Sequence, residues 1–226
     1  MFGLQIDGAT RLIVVRHGET AGNVGQLLHG HTDLPLTELG QRQAERVAAR
    51  IHSEFQVDAV VSSPLRRAHG TAAAIADRFG APVELEANLM EINFGDYEGI
   101  AYAQVLADFP DTARTAFDPT SPNWQFPNGE SRNGFNERVA GAFSDLASRH
   151  VGQTAVVVTH GGVLTSFLAQ AQQLSAEQWM KTRFINCSLT SVEFVRMGVY
   201  FHAVNDHSHL DEFLSLTPTQ ESPRAR

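Results

Sequence analysis

Apolar positions along the chain fall into short continuous runs that alternate with stretches at helical spacing. Residues 12–15 (LIVV) form a β-branched run that ends abruptly in a polar cluster, the pattern of a buried strand opening into a loop. From Thr37, a candidate N-cap, the spacing predicts a helix to about Phe55, with Ala44, Val47, Ala48 and Ile51 on one face. Residues 57–62 read as a second strand, 66–79 as a helix ended by Gly80, and 82–85 as a short third strand. Residues 155–159 read as a fourth strand, followed by a helix over about 162–171. The runs 189–195 and 199–204 read as a closing hairpin turned by Met197-Gly198.

Strands alternating with helices predict an α/β fold: a three-layer α/β/α sandwich with a mainly parallel central sheet. Ligands of such sheets bind at the carboxyl ends of the strands. Three runs are followed there by chemistry-bearing residues: Arg16-His17, residues 62–67, and His160-Gly161.

Residues 100–135 break the rhythm with Pro110, Pro119, Pro122 and Pro127 and with the aromatics Tyr102, Phe109, Phe117, Trp124 and Phe126. They are expected to form a lid or side wall inserted into one domain spanning residues 1–214. Its aromatics either meet a partly apolar leaving group or pack a small core of their own. Residues 215–226 are polar and proline-punctuated, and a mobile tail is expected there.

Composition narrows the function classes. With 42% of 226 residues apolar or aromatic and 19% charged, the chain can bury a real core, which excludes disorder for most of its length. Seventeen basic against 25 acidic residues leave a net charge of −8, so no bulk field attracts nucleic acid. The single lysine, Lys181, rules out a lysine-rich membrane-facing surface, and no run is long enough to cross a bilayer. The N-terminus has no basic segment followed by an apolar core, so a cytoplasmic protein is expected. The single cysteine, Cys187, excludes an internal disulfide and a cysteine metal cluster; preceding a strand, it is expected to be buried and inert.

Arg16-His17-Gly18-Glu19-Thr20 directly follows the first strand. An arginine beside a histidine is poor core packing but suits a histidine working next to a phosphate, and Gly18 is expected to let backbone amides approach an anion. Four further segments accompany it: Gly30-His-Thr-Asp-Leu-Pro-Leu-Thr-Glu-Leu-Gly40, Ser62-Ser-Pro-Leu-Arg-Arg-Ala68 with Thr71-Ala72, Glu91-Ile-Asn-Phe-Gly-Asp-Tyr-Glu-Gly99, and Gly129-Glu-Ser131 with Thr159-His-Gly-Gly162. In this order, over roughly residues 11–205, they resemble the histidine phosphatase superfamily, the phosphoglycerate mutase-like group.

The resemblance implies a phosphoric monoester hydrolase of the histidine acid type, with a phosphohistidine intermediate and no metal or other cofactor. His17 resembles the nucleophile. Arg16 and Arg67 resemble the clamp on the phosphoryl oxygens, a task suited to planar guanidinium groups. His160 resembles the second histidine, which donates to the transferring group, and Glu91 the general acid that protonates the leaving oxygen. Asn23, Thr20, His29, Gly30 and Gly161 fall at positions expected to line the phosphate or substrate. Gly22 departs from the bulky residue usual before that asparagine, and Arg66 falls at a variable position that also reads as a solvated helix start.

Ten histidines (17, 29, 31, 52, 69, 150, 160, 202, 207 and 209) raise a metal alternative, and His29/His31 and His202/His207/His209 cluster. None forms HExxH or another ligand spacing, and no GxSxG elbow supports a serine nucleophile. Three functions stay open: hydrolysis of a phosphomonoester, a cofactor-dependent phosphoglycerate mutase-type isomerisation, and an inactive relative binding phosphorylated ligands. Such mutases carry Arg-His-Tyr-Gly after the glutamate, whereas Ile92-Asn93-Phe94-Gly95 follows Glu91, and residues 100–135 offer only Arg114 and Arg132. Both features favour hydrolysis, and the resemblance to the compact phosphatases of this superfamily implies a small phosphorylated metabolite and broad specificity. All five catalytic positions are filled, which disfavours the inactive relative. Oligomeric state is not legible in the sequence, and a homodimer is an open expectation.

Overall fold

A computed structural model of the chain describes residues 7–116, 124–175, 178 and 181–211. Six strands form one sheet in the order β3-β2-β4-β1-β5-β6. They are β1 (Ala9–Arg16), β2 (Ala59–Ser62), β3 (Val83–Leu85), β4 (Thr154–Thr159), β5 (Leu189–Val195) and β6 (Gly198–Asp206). The pairs β2·β3, β2·β4 and β1·β4 are parallel, and the hairpin β5–β6 adds antiparallel to β1. The expected mainly parallel sheet with a closing hairpin is present.

Strand β1 shows why the central run is continuously apolar. Leu12, Ile13, Val14 and Val15 are all fully buried, because the sheet is covered on both faces. Leu12 and Val14 pack with Phe135, Val139 and Phe143 of α6 (Arg132–Arg149) and with Val163, Leu164 and Phe167 of α7 (Gly161–Gln172). Ile13 and Val15 face the other way, onto Ala44, Val47 and Ile51 of α2 (Glu38–Glu54) and Ala68, Ala72 and Ile75 of α3 (Arg66–Phe79). Period-two alternation thus assigns one strand to two cores.

Local capping signals act at the positions the sequence predicts. The Thr37 hydroxyl accepts from Gly40 N and starts α2, and Gly80 ends α3 at φ 61°, in the left-handed region that suits glycine. The sequence pattern marks no element between 135 and 155, yet α6 is the longest helix among the described residues. Asn133, Gly134, Asn136 and Gly141 are weak helix formers, so its stability comes from burying Phe135, Val139, Phe143 and Leu146 against the sheet. Its N-cap is Ser131, whose hydroxyl accepts from Gly134 N.

The inserted segment contains α4 (Tyr102–Asp108) and α5 (Pro110–Ala116); Arg132 already belongs to α6. A separate small core holds Leu28, Tyr97, Val105 and Phe126, flanked by Phe94, Tyr102 and Trp124. Phe126 is 3% exposed and meets Trp124 and Phe94 edge-on at 4.3 and 5.0 Å. Phe109 meets Tyr97 in the same manner at 5.2 Å. These aromatics therefore pack the insertion. Phe117, Pro119, Pro122 and residues 215–226 lie outside the described residues. No described helix is long and apolar enough to cross a membrane.

Candidate active site

The register of the central strands builds the site. Arg16 of β1 pairs with Thr159 of β4, so His17 and His160 leave adjacent strands at the same level, their rings 5.1 Å apart. Ser62 of β2 pairs with Val158, which sets Ser63 and then Arg67, on the first turn of α3, beside them. The carboxyl ends of β1, β2 and β4 thereby converge, where an α/β sheet is expected to bind its ligand.

His17 is 3% exposed, and its Nδ1–H donates to the Gly18 carbonyl at 2.7 Å. That bond fixes the tautomer and leaves the lone pair on Nε2. Burial, then the charges of Arg16 and Arg67, hold its pKa well below the ordinary histidine value. The His17 ring is therefore neutral at neutral pH. His160, fully buried, is depressed in the same way by burial, Arg67 and His17. Arg67 Nε donates to its Nδ1 at 3.2 Å, so Nε2 carries the hydrogen and donates to Ser63 Oγ at 2.8 Å.

The two arginines differ in what they hold. Arg67 is fully buried; besides His160 it donates to the carbonyls of Thr32, His29 and Gly30 at 3.0, 3.1 and 2.7 Å. Arg67 thus engages four of its five N–H groups, three of them fastening the 29–32 loop, and one Nη1–H is left over. Arg16 donates through Nη1 to the Phe184 carbonyl, but its Nε is buried without a partner. An orphaned buried guanidinium N–H is costly unless a ligand accepts from it. Burial pushes the Arg16 pKa down to about 10, which still leaves it charged at neutral pH. A Cβ on Gly161 would lie in ordinary van der Waals contact with this guanidinium, 3.4 Å from Nε and 3.6 Å from Cζ, so Gly161 directly adjoins the orphaned donor.

Glu91 lies at the N-terminus of α7. Its Oε2 accepts from Gly162 N at 2.8 Å and its Oε1 from Ile92 N at 3.0 Å. A Cβ on Gly162 would come within 2.3 Å of Oε1, so glycine is required for this approach. The Glu91 carboxylate acts on the charges of both Arg16 and Arg67.

The remaining predicted residues are brought to the same rim. Thr20 caps the short helix α1 (Ala21–Val24), and its N and Oγ1 donate to Asn23 Oδ1, both at 3.0 Å. With Oδ1 so engaged, the Nδ2 of Asn23 is the group free to donate to a ligand. His29 donates from Nδ1 to the Leu27 carbonyl at 2.8 Å, and its ring stands 6.3 Å from that of His17. Gly30 is needed for packing: a Cβ there would meet Ile92 O at 1.7 Å. The expectation for Gly18 is corrected. Its N–H donates to Thr71 Oγ1 at 3.0 Å, and glycine is required because a Cβ would strike Gly40 O at 2.5 Å. The glycine serves a tight loop–helix contact, and its amide is already used. Arg66 is exposed at the start of α3.

Several contributors escape sequence reasoning. Asn186 Nδ2 donates to the His17 carbonyl at 2.9 Å and approaches Asn23 Oδ1 at 3.3 Å, from a segment 169 residues away. Ser63, directly after β2, accepts the His160 Nε2–H through its hydroxyl, a role its motif does not signal. Glu98 accepts from the backbone of His31, Thr32 and Phe94 and from Thr32 Oγ1. Burial raises its pKa, but these hydrogen bonds prevail and the net shift is downward. Cys187 is buried with its thiol pKa pushed up by burial, an inert side chain as expected. Among the described residues no group of three or more His, Cys, Asp or Glu side chains could hold a metal ion.

Comparison with known proteins agrees with this geometry. The profile of the histidine phosphatase superfamily (branch 1) matches residues 12–207. The phosphoglycerate mutase-like protein 4 of Arabidopsis thaliana is 37% identical over 71% of this chain and 70% of its own. The glucosyl-3-phosphoglycerate phosphatase of Mycobacterium tuberculosis is 34% identical over 76% of this chain and 79% of its own. Among solved structures, a phosphoserine phosphatase of Entamoeba histolytica in complex with phosphoserine superposes with a TM-score of 0.78 at 29% identity. It covers 89% of this chain and 99% of its own.

Proposed function

The chain belongs to the histidine phosphatase superfamily, and we propose that within it the protein is a metal-independent, histidine acid-type phosphomonoesterase of broad specificity for small phosphorylated metabolites. The observation that carries this reading is the pairing of a neutral His17, its Nε2 lone pair unengaged, with the orphaned buried Nε of Arg16.

Phosphoryl transfer asks a protein mainly to place the nucleophile and to neutralise spread negative charge. Nε2 of His17 attacks phosphorus as the bond to the leaving oxygen breaks, and Glu91 transfers its proton to that oxygen. Arg16 Nε, the spare Nη1–H of Arg67 and Asn23 Nδ2 donate to the phosphoryl oxygens. His160, turned from Arg67 to the phosphoryl group, donates a further hydrogen bond once the substrate's negative charge favours its protonation. Water, deprotonated by the Glu91 carboxylate, then breaks the P–N bond. Inorganic phosphate and free His17 are restored, and atoms and protons balance over the cycle.

Hydrolysis is preferred over isomerisation because the residues after Glu91 and the described insertion supply no second cluster of cations for a bisphosphate. Phosphate release from a panel of phosphomonoesters with EDTA present, alongside His17→Ala and a parallel 3-phosphoglycerate isomerisation assay, tests the reading. Release by the unaltered protein and its loss by several orders of magnitude in a folded His17→Ala variant are expected. Isomerisation without release would make the protein a mutase. Undiminished release by His17→Ala would remove the nucleophile assignment.

A further inference from the structure

The segment Gly129-Glu130-Ser131 is absorbed by none of the chemistry above, and its glutamate leads to the acid. Residues 91–94 belong to no helix or strand, so their backbone has no ladder to hold it. Four consecutive carbonyls before and at Glu91 are nevertheless fastened by side chains. Arg138 Nη1 donates to Asn88 O and Met90 O, both at 2.8 Å, and Arg138 Nη2 reaches Glu91 O at 3.4 Å. Thr159 Oγ1 donates to Leu89 O at 2.8 Å. His31 Nε2 also donates to Glu91 O, at 3.1 Å.

Arg138 is itself fixed by a bidentate pair with Glu130, Nε to Oε1 at 2.9 Å and Nη2 to Oε2 at 2.8 Å. All five of its N–H groups are thereby engaged, in the planar fork that suits arginine and not lysine. Glu130 closes the frame from the other side. Its Oε2 accepts from Asn93 N at 3.3 Å, and its N donates to Asn93 O at 2.9 Å. The contact tolerates no extra atoms, since a Cβ on Gly129 would lie 2.6 Å from Asn93 O and one on Gly95 2.0 Å from Pro127 O. The bonds converge on the residues immediately before and after Glu91.

We infer that Arg138 and Glu130 are positioning residues that hold the Glu91 carboxyl in place for proton transfer, so that the inserted wall serves the acid step. This rests on Glu91 acting as general acid, as proposed above. A small displacement of an acid costs most where the leaving oxygen needs its proton, and little where it does not.

The test compares kcat/KM for β-glycerophosphate and for p-nitrophenyl phosphate, which needs little protonation, in Glu130→Gln and Arg138→Lys, with melting temperature measured in parallel. For β-glycerophosphate a fall of about tenfold or more is expected, against about twofold or less for p-nitrophenyl phosphate. In a Glu91→Gln background the added Glu130→Gln is expected to produce no further split between the esters. Equal losses on both esters in a folded variant, or no loss on either, would overturn the positioning role. Glu91→Gln alone is the control for the premise: if it lowers both esters equally, the acid assignment fails first and the inference falls with it.

Discussion

The phosphate cradle and the acid-bearing segment stand side by side but are built by opposite means. The cradle is strand-borne. His17, His160 and Arg67 are nearly or wholly buried, their places are set by the register of β1, β4 and β2, and two large apolar cores lie beneath them. The acid segment has no ladder, and the wall beside it has only a small core around Leu28, Tyr97, Val105 and Phe126. It is held by side-chain bonds to carbonyls and by glycines pressed against backbone. On the proposed mechanism the difference makes the two halves of the chemistry separable: binding and attack would depend on the rigid sheet, protonation of the leaving group on a polar frame.

Arg67→Ala is the most damaging challenge to that division among the cradle variants that keep the nucleophile. It removes the contacts to His160 and to three loop carbonyls, and kcat/KM is expected to fall about 1,000-fold equally for alkyl and p-nitrophenyl esters. A loss graded by leaving group would break the comparison. Gly162→Ala should do the reverse. Its Cβ would push Glu91 Oε1, so alkyl phosphates are expected to lose about 100-fold and p-nitrophenyl phosphate only a few-fold.

Stability measurements sharpen the same contrast. Phe126→Ala empties the small core and is expected to cost about 3 kcal/mol in urea denaturation, with faster hydrogen exchange confined to the wall and the acid segment. Exchange spreading into β1 or β4 would show that the regions are not separable. The smallest effect concerns pH. His17 and His160 have folded-state pKa values below those of the unfolded chain, so unfolding takes up protons in acid. Stability should hold above about pH 6.5 and fall below it by about 1.4 kcal/mol per pH unit for each such histidine, until the folded pKa is reached. His160→Gln should remove one proton's worth of that slope in denaturation curves at pH 5 and 6. An unchanged slope would mean that this histidine protonates freely in the fold.

Much of the site was readable because its residues stand in short segments at strand ends, where local sequence carries both strand and loop. Arg16-His17 and His160 are such cases. The strands of the mainly parallel sheet and the closing hairpin followed from apolar runs and a turn at Met197-Gly198, whereas the strand order did not. Asn186, Glu98 and Arg138 were not readable as parts of the site, because the partners that place them lie 163–169, 66–67 and 8–50 positions away. Gly18 was read for the wrong reason. A glycine in a loop is equally suited to an anion and to a close helix, and only the position of Gly40 distinguishes them.

The chain's own order of residues determined the alternation of strand and helix, the two-sided burial of β1, the caps of α2 and α3, and the types of chemical group available. These are effects of neighbours within a few positions, which periodicity and propensity govern. Tertiary structure decided the neutral tautomers of His17 and His160, the orphaned Nε of Arg16, the helix α6 and the frame around Glu91. Each depends on desolvation or on a donor meeting an acceptor from a distant segment, and those energies exist only once the layers have packed.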